Sequence, residues 1–501
     1  MHFLIKLFSE ITIKSEPVRR RQVRQLRNNV RRILRRMAPD VSVTGASDHL
    51  EVTLPEPPAG SDSANDPVGD QKQAVAEALT RIPGIGQVLE VDCHPLRDFD
   101  DILSHLLPLY RERLAGRRFA VQVKRGGQHS FTSQQLASYL GAELLRHTAA
   151  RGVDLSHPEV RVPLEVRDNR YYLVRRRLEG LGGFPIGTLD TAMTLISGGF
   201  DSSVACYLML RRGLRSHYLF FNLGGTTHEA GVRQTALHLW QRYQSSHRVL
   251  FISVPFAPVL AEIQRSVRPA YRGLVLKRMM LRAASHIAAG INVGALVTGE
   301  SLAQVSSQTL SNLSTINRVS DQLVLRPLEH MHKQEIIALA EEIGTADLAR
   351  RMPEYCGLQR GAACTRAREE KLAADEHRFD YDVLQRAIAH RSETSVDKLM
   401  QSQPGLSDVP RVSTPALGDL VVDIRHPDES DSSPLRLVNN RVVRMPFYDI
   451  NQRFAELPPA RRVLLYCDRG SMSELHVGHL SAQGHEAVLV YDPPVCHKGS
   501  A

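Results

Sequence analysis

The sequence predicts a multidomain α/β protein whose centre is a doubly wound parallel sheet. Three observations carry this. Residues 194–203, TLISGGFDSS, join a short, branched, apolar run (192–196) to a largely apolar helical run (204–210) through two glycines, which reads as strand, tight turn and helix. Further strand-like runs follow at 217–222, 249–254, 295–298 and 322–325, separated by helical stretches, the alternation of a parallel sheet with its ligand at the carboxyl ends of the strands. Finally, 501 residues suffice for three or four domains, each with its own core.

The N-terminal end holds the charge. Residues 1–36 carry eleven Lys or Arg against Glu10 and Glu16, which accounts for the whole formal net charge of +9. Phe3, Ile5 and Leu7, then Ile11 and Ile13, alternate like strand residues. After them Val23, Leu26, Val30, Ile33, Leu34 and Met37 recur at helical spacing among arginines, giving an amphipathic helix with a basic outer face. Such a face is either simply solvated or contacts nucleic-acid phosphate, and the lack of acidic residues along it favours phosphate. Arg19, Arg24, Arg27 and Arg31 are the candidate contacts.

Residues 56–72 are polar and rich in Pro, Gly and Asp, and read as a linker. An α/β stretch follows. Within it, a strand at 119–123 delivers Lys124 and Arg125 into a glycine turn, and a second strand at 164–173 carries Arg167, Arg170, Tyr171 and Tyr172. Basic residues beside aromatic ones suit an RNA surface, although an ordinary charged loop has the same composition.

In the central loop the glycines let the backbone turn sharply, Ser202 or Ser203 is placed to cap the helix, and several N–H groups converge with the positive helix end on one point. That point suits an anion. The spacing is neither the Walker form nor the dinucleotide GxGxxG. It resembles the SGGxDS loop of the PP-loop ATP pyrophosphatases, whose domain is of the adenine nucleotide alpha hydrolase type. Beyond the loop, Lys277 lies on an expected helix, Gly299 follows a strand end in TGESLAQVSSQTL, and Lys333 opens another helix. Two lysines there would neutralise charge on departing pyrophosphate, and Asp201 could orient Mg²⁺ or its water.

Residues 402–414 read as a linker, and beyond them lie a strand at 420–425 and another at 462–466 that ends at Cys467. The loop DRGSMS and a helix starting near Glu474 follow it, so that N–H groups surround the thiol and favour a thiolate. Six cysteines without a CxxC pair exclude a disulfide scaffold or zinc ribbon and point to a reducing compartment. Cys93, Cys206, Cys364 and Cys496 read as bystanders, and His330 with His332 lacks a third metal ligand. HFLIKLF is too short for a membrane span and lacks a cleavage site, so a cytoplasmic protein is expected.

VKRGGQHSFTS, the hinge GLGGFPIGT, SGGFDSS and the two cysteines in MPEYCG and YCDRGSMS together resemble the tRNA 4-thiouridine synthetases of the ThiI family. The resemblance implies an N-terminal ferredoxin-like domain (1–71), a THUMP RNA-binding domain (72–176), a PP-loop adenylation domain (177–395), a linker (396–414) and a rhodanese-like domain (415–501). It implies ATP and Mg²⁺ as cofactors, with Leu195 and Ile196 beside the adenine, Ser197, Gly198, Gly199 and Ser202 on phosphate, and Lys277, Gly299 and Gln308 lining the rest. Asp201 and Lys333 resemble the residues needed for adenylation. Cys467 would carry a persulfide and Cys356 would form a disulfide with it after sulfur transfer. The implied reaction puts AMP on a tRNA uridine, at position 8, and replaces its oxygen with sulfur. Implied partners are tRNA, a cysteine desulfurase and a sulfur-carrier protein for thiamine thiazole synthesis, with no membrane; a homodimer is left open. The serine at 473, where many rhodaneses have arginine, resembles this family's version. Two other readings keep part of this sequence: a PP-loop ligase or amidotransferase acting on a small metabolite, and a non-catalytic tRNA-binding protein.

Overall fold

The structure, a computed structural model, describes residues 2–45, 48–55, 67–223, 225–350, 352, 364–399, 409–425, 427–437, 439–446, 449–450, 453–467, 471–482, 484–485 and 487–493. It divides into two compact units, residues 1–189 with 211–213, and residues 190–210 with 214–501.

The first unit is built on one eight-stranded sheet. Its elements in order are β1 (His2–Leu7), α1 (Ser9–Thr12), α2 (Glu16–Leu34), β2 (Ser42–Thr44), β3 (His49–Thr53), α3 (Pro67–Thr80), β4 (Ile85–Pro95), α4 (Phe99–Tyr110), β5 (Arg118–Gly126), α5 (Ser133–His147), β6 (Gly152–Val153), β7 (Val160–Arg167) and β8 (Arg170–Glu179). The strand order is β2-β3-β1-β4-β8-β7-β5-β6. The long strand β4 pairs antiparallel with β1 along one edge and with β8 along the other, so the N-terminal portion and the portion after it share a continuous hydrogen-bond ladder. Two apolar clusters flank it. Val23, Leu26, Val30 and Leu34 of α2 and Val75 and Leu79 of α3 bury against Phe3, Ile5 and Val88, whereas α4 and α5 cover Phe119, Val162, Leu164 and Leu173. The α2 stripe is thus the one its periodicity predicts.

Two expectations are corrected here. Ile11 and Ile13 do not continue a strand: the ladder stops at Leu7, Phe8 N–H bonds back to Gly84, and the chain turns through α1, leaving Ile11 buried and Ile13 78% exposed. The single strand expected at 164–173 is two, β7 and β8, joined by a tight turn in which Asp168 takes a left-handed φ of 47°. An Asp-Asn pair between alternating runs is the turn signal that marks this break.

The second face of the sheet carries an ionic network. Lys6 pairs with Glu165 although their strands are three apart, a separation of about 14 Å along a flat sheet. The sheet therefore curls strongly. Beside this pair, Arg167 holds Asp48 at 2.7 Å, His49 lies between Asp48 (2.6 Å) and Glu51 (3.4 Å), and the Tyr172 hydroxyl donates to Glu51 at 2.7 Å.

The second unit contains two sheets. Its first part runs β9 (Thr191–Leu195), α6 (Phe200–Arg211), β10 (Arg215–Asn222), α7 (Gly225–Leu239), β11 (Leu250–Pro255), α8 (Ala257–Ser266), α9 (Arg272–Gly290), β12 (Ala295–Val297), α10 (Leu310–Asn317), β13 (Leu323–Leu325), α11 (Lys333–Glu342), α12 (Ala346–Arg350), α13 (Glu369–Glu376), α14 (Tyr381–Ala389) and β14 (Ser392–Ser395). The order β13-β12-β9-β10-β11-β14 is parallel except for the antiparallel edge strand β14. The chain winds outward from β9 in both directions, which puts the topological switch point between β9 and β12.

The rest comprises β15 (Arg411–Val412), β16 (Leu420–Asp423), α15 (Pro427–Ser432), β17 (Val442–Arg444), β18 (Val463–Tyr466), α16 (Ser471–Ala482) and β19 (Val488–Tyr491), in a parallel sheet ordered β15-β19-β18-β16-β17. Within the stretch read as linker, Val396 and Leu399 are buried and residues 411–412 form the edge strand β15.

The network around His49 makes stability depend on pH in a definite direction. The hydrogen bond from His49 lowers the carboxyl pKa of Glu51 more than burial raises it and, with that from Tyr172, brings the value down to about 2. Glu51 therefore stabilises the folded state above pH about 4.5, and this contribution is lost as pH falls toward 2. Thermal melts of wild type and Glu51→Gln should differ at pH 6 and converge by pH 2. Parallel melting curves at every pH would contradict this.

Candidate active site

The residues after β9 fold back on themselves. Ser197 N–H donates to Ser202 Oγ at 3.2 Å, the two hydroxyls lie 3.1 Å apart, and Ser202 Oγ donates to the Gly199 carbonyl at 3.2 Å. Gly198 adopts a φ of +80°, which favours glycine. Neither Ser202 nor Ser203 is the N-cap expected from sequence. The helix already starts at Phe200, and both hydroxyls donate inside its first turn to Gly199. The loop thus spends the Ser202 side chain on its own closure.

The loop after β12 lies directly against this turn. A Cβ on Gly299 would come within 2.6 Å of the Asp201 carbonyl carbon and 2.7 Å of Ser202 N, so only glycine fits. Across this contact, Lys333 Nζ at the start of α11 reaches Asp201 Oδ1 at 2.7 Å and lies 5.6 Å from the Phe200 ring centroid. Gln304 Nε2 approaches Asp201 Oδ2 at 3.4 Å. The sequence-read pair Asp201 and Lys333, 132 residues apart, is therefore in direct contact.

Glu300, next to Gly299, is a site residue that sequence reading missed. Its buried carboxylate accepts from Lys277 Nζ (2.9 Å), Arg326 Nε (2.8 Å) and Thr298 Oγ1 (3.1 Å). Burial raises its pKa, but Lys277 and Arg326 outweigh that and hold the carboxyl below the usual range. One carboxylate therefore organises two cations. Arg326 Nη2 and Gln308 Oε1 are both buried without a hydrogen-bond partner among the described residues. An orphaned donor and an orphaned acceptor beside a phosphate-type loop fit a nucleotide.

His228, on α7, was also missed; its Nε2 lies 3.4 Å from the Ser197 carbonyl, and burial lowers its pKa. Leu195 ends β9 half-buried and Ile196 is fully buried. The signals were faint: a Glu inside a polar loop and a His in a helix carry no motif of their own. Among the described residues no three His, Cys, Asp or Glu side chains gather into a metal site. Asp201 is the carboxylate at the loop, and both its oxygens already face Lys333 and Gln304.

In the second sheet Cys467 stands at the carboxyl end of β18, 8% exposed, and the Ser473 N–H points at its sulfur at 3.4 Å. The helix after it starts at Ser471 rather than near Glu474. Cys206 is wholly buried, and desolvation pushes its thiol up to about 11, as suits a core residue. Cys356 and Cys496 lie outside the described residues.

The basic face of the first unit is only partly free. Arg19, Arg27 and Arg31 donate to the carbonyls of Thr12, Gly45 and Val43, while Arg24, Lys124 and Arg125 are exposed. Tyr171 and Tyr172 are corrected from RNA-stacking candidates to core residues: both are at most 2% exposed, and their hydroxyls bond Asp101 and Glu51. Sequence reading also missed a shallow groove lined by Arg113, Arg161, Arg175, Arg176 and Arg177. Arg175, Arg176 and Arg177 are consecutive in sequence, and the fold brings Arg113 and Arg161 to them.

Comparison with known proteins agrees with this geometry. The family model "Thiamine biosynthesis protein (ThiI)" matches residues 187–381, and the THUMP domain model matches residues 97–174. A tRNA sulfurtransferase of Marinobacter nauticus is 51% identical over 99% of this chain and 100% of its own length, and one of Pseudomonas fluorescens is 47% identical over 98% and 100%. Among solved structures, a 4-thiouridine synthetase in complex with RNA and bound ATP superposes with a TM-score of 0.67 at 25% identity, covering 79% of this chain and 99% of that one. With full-length identity at this level joined to the loop, the switch point and the thiol described above, the chain belongs to the tRNA sulfurtransferase family.

Proposed function

We propose that this protein uses ATP to replace an oxygen of a tRNA uridine with sulfur, giving 4-thiouridine, with position 8 as the target. The observation that carries the nucleotide half is the gathering of Lys277, Lys333 and the unpartnered Arg326 Nη2 around the Asp201 and Glu300 carboxylates beside the glycine turn after β9. Ser197, Gly198, Gly199 and Ser202 hold phosphate, Leu195 and Ile196 border the adenine, and Gly299 and Gln308 complete the pocket. Asp201 is the residue that would hold Mg²⁺ in exchange for its Lys333 and Gln304 contacts, and the ion would screen charge on the triphosphate.

The chemistry divides into two displacements. Uracil O4 attacks the α-phosphorus, the bond to the β-phosphate oxygen breaks, and pyrophosphate leaves while Lys277 and Lys333 offset its charge. The adenylated base then meets sulfur carried as a persulfide on Cys467. If the terminal sulfur attacks C4, AMP departs with the former O4. Cys356 next attacks the Cys467 sulfur, which frees the thionated base and leaves a Cys356–Cys467 disulfide. Alternatively, Cys356 first expels hydrosulfide, which itself attacks C4. Either route requires a dithiol to return two electrons to the disulfide.

We assign Cys467 as the carrier because its position after the central strand of a parallel sheet, beneath a backbone N–H, matches a rhodanese-like loop. Tail residues 415–501 form that domain in this reading, with 1–71 and 72–176 as the ferredoxin-like and THUMP portions and 177–395 as the adenylating one. Arg24, Lys124, Arg125 and the arginine-lined groove contact the tRNA backbone, with Arg19, Arg27 and Arg31 lending charge from the helix. The reading extends to a cysteine desulfurase as sulfur source, a sulfur-carrier protein for thiazole synthesis as a second acceptor, and a cytoplasmic location. No described helix is long and apolar enough to cross a membrane.

Incubation with ATP, unmodified tRNA and a persulfide donor should yield AMP and the absorbance of 4-thiouridine; AMP without thionation would favour a ligase, and neither product a binding protein. Cys467→Ala should lose sulfur loading yet keep pyrophosphate release in a single turnover, and a variant that still accepts labelled sulfur refutes the carrier assignment. Glu300→Gln should slow pyrophosphate release about 10- to 100-fold, the range expected when preorganised charge is lost from a transition state. Release at the wild-type rate would remove Glu300 from the machinery.

A further inference from the structure

The second unit contains two chemically distinct centres, the phosphate loop after β9 and the thiol after β18. The chain between α11 and α13 touches both. Leu348 of α12 is 3% exposed and belongs to the same apolar cluster as Cys467, together with Leu420, Val422, Leu465 and Val477 of the C-terminal sheet and its helix. Four residues later, Met352 lies over the phosphate loop: a Cβ on Gly198 would sit 3.0 Å from its sulfur and terminal methyl. Four residues of chain span at most about 14 Å. Leu348, in the carrier cluster, and Met352, against the loop that grips phosphate, are thus within that reach of each other.

A third element closes the arrangement. On α7, Gly231 leaves room for the Met352 methyl, which any Cβ there would displace. One turn further along, Gln234 Nε2 lies 3.3 Å from His476 Nε2 on α16, the helix that follows the thiol loop. Positions 231 and 234 share one helix face. That face therefore receives the adenylating loop's cover at one end and the thiol domain's helix at the other.

We propose that Gly231 and Gln234 of α7, Leu348 of α12 and Met352 form a docking surface whose partner is the chain's own C-terminal domain. Seated there, the domain presents Cys467 to the nucleotide pocket, and the docked arrangement is the one in which sulfur passes to the base. This inference rests on the reading that Cys467 carries the sulfur. Burial of Leu348 among the C-terminal core residues supplies the apolar contact, and the Gln234–His476 approach fixes orientation.

The surface serves transfer and neither of the steps before it, which makes it separable. In full-length protein three rates are measured: pyrophosphate release in a single turnover with tRNA, loading of labelled sulfur onto Cys467 from a cysteine desulfurase with labelled cysteine, and 4-thiouridine formation by preloaded enzyme. Leu348→Glu should lower the third at least 10-fold while the first two stay within 2-fold. Gln234→Lys, which leaves α12 and both cores intact, should lower the third 3- to 10-fold and serves where Leu348→Glu fails to fold. Unchanged 4-thiouridine formation in both variants overturns the proposal, and so does a proportional fall in pyrophosphate release, which would make α12 mere scaffold. Failure of the wild type to load Cys467 would instead overturn the carrier reading beneath it.

Discussion

The close approach of Gly299 to the first turn of α6 is the constraint from which the rest of the site follows. Two loops leave adjacent parallel strands at the switch point, and they can meet only because one of them offers no side chain there. The meeting fixes where Glu300 stands. Glu300 in turn fixes Lys277, from the middle of α9, and Arg326, from the end of β13. Lys333 then faces Asp201 across the same junction. A cationic surface is thereby assembled from four separate segments, each carrying at most one of its charges.

Such a surface would repel itself without its carboxylates. Glu300 sits between two cations and Asp201 against a third, so the protein holds these positive groups in place. Preorganisation of this kind is what distinguishes a site built for charge development from a merely basic patch. The arginine-rich helix α2 follows the other pattern. Two of its guanidinium groups, on Arg31 and Arg27, serve the backbone carbonyls of Val43 in β2 and of Gly45 just after it, and only part of its charge projects outward.

How much of this could be read beforehand depends on the range of the interactions involved. The central strands, the glycine turn after β9, the positions of Lys277 and Lys333 on helices and the thiol after β18 were legible because each is encoded by local pattern: apolar runs, paired glycines, a Cys directly after a strand. Glu300 and Arg326 were not, since their meaning lies in pairing across 23 and 26 residues of sequence. Tyr171 and Tyr172 misled for the opposite reason. An aromatic pair beside arginines looks like a stacking surface, but strand alternation sends one ring into each face of a sheet that is buried on both. The Asp-Asn turn before them was visible and would have corrected the strand assignment.

Strand β4 is shared between two portions of the chain. Its backbone groups are satisfied on both edges by portions of the chain that fold classification counts as separate modules. Cutting between those modules would leave a long, apolar strand edge bare, an invitation to pair with another molecule. A gene fusion that carried one portion without the other would therefore leave that edge unpaired, so the two portions are transferable only together.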